Sequence, residues 1–266
     1  MHPIVARNRT YWDHLVSLHV SSEYYDVKGL IAGSKDIDPV VLDALGNVNG
    51  KRVLHLQCHF GADTLALARR GAIVTGLDFS PKAIEVAHNL AQKMGLPARF
   101  VEDDVMSAEL GNSFDIVFSS WGAIGWLPEL TSWAATIARH LEPGGRFVLV
   151  DGHPILWMMG ETLPAQVKYA YAVGEPIVEE AKKGTYAAPN APVPHASYGW
   201  NHSLAEVMGA LCAQGLRLVH FAEGDRIPWE AWPGMTKAGQ YWRLPDAVVP
   251  FPLSMTIVFE RPIPGT

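Results

Sequence analysis

The first residue with a readable chemical purpose is Asp78. It closes the apolar run Ile73–Leu77 and lies about 20 residues beyond the turn Gln57-Cys58-His59-Phe60-Gly61. A carboxylate fixed at that spacing can accept from the 2′ and 3′ hydroxyls of a ribose together, so the pair of turn and acid points to an adenine nucleoside or a dinucleotide. A dinucleotide also needs a glycine-rich turn that lets the backbone approach a pyrophosphate. Only Gly61 stands in this turn, and no GxGxxG occurs in the chain. A nucleoside ligand without phosphate fits better, and S-adenosylmethionine is such a ligand.

Three other groupings imitate chemistry and are set aside. His55-x-x-Cys58-His59 has metal-binding residue types, but no second ligand cluster follows it. Tyr24-x-x-x-Lys28 copies a dehydrogenase pair, yet it precedes the first strand of the sheet. Gly46–Gly50-Lys51 is one residue short of a phosphate loop, has Arg52 in place of Ser or Thr, and comes before a strand instead of after one.

The elements that must hold the turn and the acid alternate regularly. Arg52–Gln57, Ile73–Leu77, Ala98–Val101, Phe114–Ser119 and Arg146–Val150 read as buried strands. Between them, Ala62–Arg70, a segment opened by Ser80-Pro81 and ended by Gly95, and Leu130–Leu141 have helical spacing. Strands alternating with helices predict a doubly wound, Rossmann-like α/β fold with a mostly parallel sheet. A capping box at Ser203–Glu206 opens a further helix to about Gln214, and Leu216–Glu223 and Ser254–Glu260 complete the strands. The chain reads as one domain: a helical segment over 1–50, a core over 51–151, an aromatic and Pro-rich insertion over 152–200, and the end of the sheet over 201–266. A stretch as long as the insertion without periodicity suits a functional lid.

The stretch VLHLQCHFGADTLALARRGAIVTGLDFSPKAIEVA, followed by ARFVEDDV, FDIVFSSWGAIGWL and LEPGGRFVLV, resembles the class I S-adenosylmethionine-dependent methyltransferases. It is similar to the subgroup with LQCHFG where most members carry LGCGxG. The resemblance implies a seven-stranded sheet of order 3-2-1-4-5-7-6, with the last strand of the chain, Ser254–Glu260, antiparallel. It also implies S-adenosyl-L-methionine as cofactor. Carried over by position, Gln57, Cys58, His59 and Gly61 would lie against its methionine part, Asp78 on its ribose and Phe79 on its adenine. Asp103 or Asp104, with Val105 beside them, would recognise the adenine amino group. Ser119, Ser120 and Trp121 would flank the methyl, and Tyr11 and Trp12 would belong to an N-terminal helical lid. Gln57 and His59 replace two glycines of the usual motif, so the turn must bear strain or differ in detail.

Methyl transfer from a sulfonium is an in-line displacement, and aligning nucleophile, methyl and sulfur is most of the work. A base is needed only where the nucleophile arrives protonated. His153, just past the fifth strand, is the leading candidate base, and His202 the second. The Asn/Asp-Pro-Pro-aromatic motif is absent, Ser119-Ser120-Trp121-Gly122 standing in its place, which disfavours DNA and protein-glutamine acceptors. The expected acceptor is an oxygen or nitrogen of a small molecule. The alternatives are a nicotinamide-dependent oxidoreductase on a related sheet and a non-catalytic S-adenosylmethionine-binding protein.

Composition narrows the partners. The 266 residues are 48% apolar with a net charge of −6 and scattered Lys and Arg, which disfavours nucleic acid and anionic membranes. Cys58 and Cys212 form no disulfide framework, and the first residues have no signal-peptide core, so a cytoplasmic monomer or homodimer without a metal is expected.

Overall fold

The computed structural model describes residues 2–172 and 174–265. Seven strands form the central sheet: β1 Arg52–Leu56, β2 Ile73–Asp78, β3 Ala98–Glu102, β4 Phe114–Ser120, β5 Leu141–Gly152, β6 Arg217–Gly224 and β7 Ser254–Glu260. Their order across the sheet is 6-7-5-4-1-2-3. β1 to β5 pair in parallel, while β7 runs antiparallel to both β5 and β6. The strand order reverses between β1 and β4, so their carboxyl ends part and leave a crevice.

Helices cover both faces because the central strands are apolar on both. On one face Trp133, Phe147 and Phe259 pack with α6 (Thr131–His140) and α8 (Leu204–Ala213). The other face buries Val53, Phe118 and Val150 under α3 (Pro39–Leu45) and α4 (Ala62–Arg69), and Phe60 and Phe100 under α5 (Pro81–Met94).

Local sequence sets the helix ends. Ser80 accepts from the Ala83 amide at 3.1 Å with Pro81 at the first helical position, and α5 stops at Gly95 with φ of 63°. The Ser203–Glu206 capping box is formed in both directions. Pro143–Gly145 lie inside β5 as an irregularity: pairing with β4 jumps from Phe114↔Leu141 to Ile116↔Arg146.

The N-terminal helix α1 (Pro3–Val20) crosses the carboxyl ends of three strands. Arg9 pairs with Glu102 of β3 at 2.8 Å, Asp13 accepts from Ser80 after β2 at 2.5 Å, and His19 meets His59 after β1 at 3.0 Å. α2 (Val27–Ala32) follows it. The insertion has more regular structure than its sequence suggests. It holds α7 (Pro154–Met158) and two antiparallel pairs, Ile177–Glu179 with Ser197–Gly199 and Lys182–Lys183 with Pro192–Val193. Buried Asn8 of α1 fastens it, donating to the Tyr198 carbonyl at 2.7 Å and accepting from the Tyr198 amide at 3.0 Å. Among the described residues, no helix is long and apolar enough to cross a membrane.

Candidate cofactor site

The turn after β1 is left-handed at every second residue: Gln57 has φ of 55°, His59 of 51° and Gly61 of 75°. For Gln57 and His59 this costs about 1 kcal/mol each, and side-chain and backbone bonds offset it. Gln57 Nε2 donates to the Ala123 carbonyl at 2.8 Å, and the His59 amide donates to Asp78 Oδ2 at 2.8 Å. Gly61 admits no substitute, because a Cβ there would come within 2.5 Å of the Phe100 ring. Cys58 is buried beneath the turn and contributes its backbone, donating to the Leu77 carbonyl at 2.9 Å.

Asp78 ends β2 and is 7% exposed. Its Oδ2 takes the His59 amide and its Oδ1 the Ser80 amide at 2.9 Å. One amide on each oxygen leaves further lone pairs on both, the arrangement a diol needs. Burial pushes its pKa up to about 6, against the opposing pull of these amides. Phe79, partly buried, adjoins it. After β3, Asp103 Oδ1 accepts from the Asp104 amide at 2.8 Å and Asp104 Oδ1 from the Met106 amide at 3.0 Å, while Val105 enters the core. The Asp103 amide donates to the Asp78 carbonyl at 3.0 Å, which ties this segment to the acid of β2.

After β4 the expectation divides. Ser119 is fully enclosed within the sheet and its Oγ faces the Leu56 carbonyl at 3.5 Å, so it does not open onto the site. Ser120 faces Asp63, in the first turn of α4, at 3.4 Å. Burial raises the Asp63 pKa to about 6. Trp121 has φ of 48°, a strained setting for a bulky residue, and its amide donates to the Val150 carbonyl at 2.8 Å. Tyr11 and Trp12 reach the same region from α1. Tyr11 stacks on Trp126 with centroids 5.8 Å apart, and Trp12 meets His59 edge-on at 5.3 Å and Trp126 at 5.1 Å.

The two candidate bases do not suit that role. His153 is 1% exposed and caps α7, its Nδ1 accepting from the Ile155 amide at 3.1 Å. With Nδ1 accepting, the ring proton sits on Nε2, which lies 3.1 Å from Glu223 of β6 but outside hydrogen-bond geometry. No ring lone pair remains to take a proton from a nucleophile. His202 Nε2 donates to the Leu127 carbonyl at 2.8 Å, which makes it a brace for the segment after β4.

That segment rests on a residue the sequence reading passed over. Asp151, 1% exposed at the end of β5, accepts from the amides of Gly122, Ala123, Ile124 and Gly152 at 2.5, 3.0, 3.2 and 2.7 Å. It therefore fixes the backbone that carries Trp121 and that Gln57 grips through Ala123. The signal was present: Phe147–Asp151 ends an apolar strand in an acid, as Ile73–Asp78 does. One acceptor stays open. Gln57 Oε1 is buried without a hydrogen-bond partner among the described residues, and the Nε2 bond to Ala123 fixes which end of the amide is oxygen. A donor such as an ammonium would satisfy it.

Residues 53–145 match a family model described as a methyltransferase domain. The ubiquinone biosynthesis O-methyltransferase of Photorhabdus laumondii is 28% identical over 189 residues, which cover 68% of this chain and 74% of that protein. The crystal structure of an S-adenosylmethionine-dependent methyltransferase from Mesorhizobium loti shares the fold with a TM-score of 0.59 at 21% identity, covering 84% of this chain and 96% of that one. The glycopeptide N-methyltransferase MtfA, solved with S-adenosyl-L-homocysteine, shares it with a TM-score of 0.56 at 18% identity, covering 88% and 97%.

Proposed function

We propose that this chain, a class I S-adenosylmethionine-dependent methyltransferase, delivers the methyl group to an oxygen or nitrogen of a small molecule and does so chiefly by positioning. The observation that carries the reading is the joined turn and acid. Asp78 at the crevice holds the backbone of the Gln57–Gly61 turn and keeps lone pairs for a ribose.

In this reading Gln57 and the turn backbone take the methionine part, with the open Oε1 accepting from its ammonium. Phe79 lies on the adenine, and Asp103 or Asp104 accepts from its amino group. Ser120 and Trp121 form the wall beside the methyl, and Tyr11 and Trp12 cover it. When bound, S-adenosylmethionine supplies an activated methyl on a positively charged sulfur. The protein excludes water with its aromatic cover and lines up the acceptor. Nearby aromatic faces favour the positive charge.

The small-molecule acceptor draws on two relatives, one an O-methyltransferase of ubiquinone biosynthesis and one an N-methyltransferase of glycopeptides. The test is incubation with methyl-labelled S-adenosylmethionine and a panel of small phenols and amines, with DNA and unrelated polypeptide as controls. Label is expected in a panel member. Label only in DNA or polypeptide would refute the acceptor class.

A further inference from the structure

We propose that Thr185, His19 and His59 form a catch that holds α1 and the insertion shut over the cofactor and sets how fast the cofactor leaves. The proposal rests on the cofactor reading above, and it gives the side chain of His59 a purpose its backbone does not need. A glycine would meet the turn's φ of 51° without strain. A histidine stands there instead, and its ring turns towards α1.

The contacts run in one direction. His59 Nε2 lies 3.0 Å from His19 Nδ1, and His19 Nε2 lies 3.3 Å from Thr185 Oγ1. Thr185 Oγ1 already accepts from the amides of Ala187 and Ala188, at 3.3 and 3.0 Å. A hydroxyl has one proton and two lone pairs, so Thr185 must donate to His19 Nε2. His19 then carries its proton on Nδ1 and donates to His59 Nε2, which leaves His59 protonated on Nδ1. Both rings are kept neutral by burial: His19 is pulled down to about 4, and His59 well below the ordinary range.

This chain links three parts that are distant in sequence: the insertion, α1 and the turn. The turn end of the chain also reaches Asp78, because the His59 amide donates to that carboxylate. Aromatic rings wall the catch on several sides, with Trp12 at 5.3 Å from His59 and Tyr25 at 5.4 Å from His19. Tyr25 in turn meets Tyr186, the neighbour of Thr185, oxygen to oxygen at 2.5 Å. A ligand seated between the turn and α1 therefore leaves only when this contact parts. His59 and His19 are positioning residues, since neither needs to touch the reacting atoms.

The test is stopped-flow release of S-adenosylhomocysteine, followed by tryptophan fluorescence, in wild type, His59→Gly, His19→Leu and the double variant. His59→Gly suits the turn, and a thermal melt checks that each variant is folded. Each single variant is expected to release the ligand about tenfold faster. The double variant is expected to match His19→Leu, because His59→Gly removes only a contact that His19→Leu has already lost. His19→Asn, whose amide nitrogen sits near the Nδ1 position, is expected to restore slow release. Release within about twofold of wild type in folded His59→Gly, or a double variant equal to the product of the singles, would overturn the catch. Failure of the wild type to bind the ligand at all would refute the cofactor reading itself.

Discussion

Asp78 meets two demands with one carboxylate. It holds the turn through the His59 amide and the start of α5 through the Ser80 amide, and it keeps lone pairs for a ligand. Asp78→Asn keeps the shape and one acceptor oxygen but sets an amide group against a backbone donor. The expected result is a loss of S-adenosylhomocysteine affinity of about 100-fold, with a folded protein, read by titration. The pKa of about 6 adds a pH signature. Below that value the carboxyl gains a proton and loses acceptor capacity, so wild-type affinity falls as pH drops through 6, while Asp78→Asn stays flat. Stability moves the other way. The folded value lies above the ordinary 3.8, so between these values the native state holds a proton that the unfolded chain has released. This group's contribution to stability is therefore greatest at the acid end and declines as pH rises towards 6. A melt series from pH 4 to 7 on wild type and Asp78→Asn checks that sign.

At the scale of elements, what could be read in the sequence was what neighbours decide. The strands, the Ser80 cap, the Gly95 stop and the Ser203–Glu206 box are all settled within a few residues. What could not be read depends on partners brought from afar. The strand pair Ile177–Glu179 with Ser197–Gly199 is anchored by Asn8, 190 residues from Tyr198. The position of His153 suited a base, but its ring is taken up by capping α7 through the Ile155 amide and sits beside Glu223 of β6. Ser119 and Ser120 look equivalent on paper, and strand alternation sends one into the sheet and the other to Asp63. The Asn8 anchor gives an element-scale prediction. Asn8→Leu leaves both polar groups of Tyr198 without their partner and is expected to cost about 2 kcal/mol. Hydrogen exchange should speed up over residues 177–179 and 197–199 and stay unchanged in β1 to β5. Equal protection in both regions would show that Asn8 does not fasten the insertion.

For the molecule as a whole, the sheet order is the one the family resemblance implies, and its reversal between β1 and β4 places the turn, Asp78, Ser120 and Trp121 along one crevice. The sequence made this half legible because strand-terminal acids and the single glycine of the turn stand at fixed offsets from apolar runs. The covering half, made of α1 and the insertion, was legible only as aromatic and unperiodic. Its order comes from contacts such as His19 with Thr185, 166 residues apart. The central claim is that this crevice takes S-adenosylmethionine. Calorimetric titration of the wild-type protein with S-adenosylhomocysteine, with NADH as control, tests it most directly. Saturable one-site binding of S-adenosylhomocysteine and no heat from NADH is the predicted result. Binding of NADH alone would contradict the assignment from Gly61 and Asp78 onward.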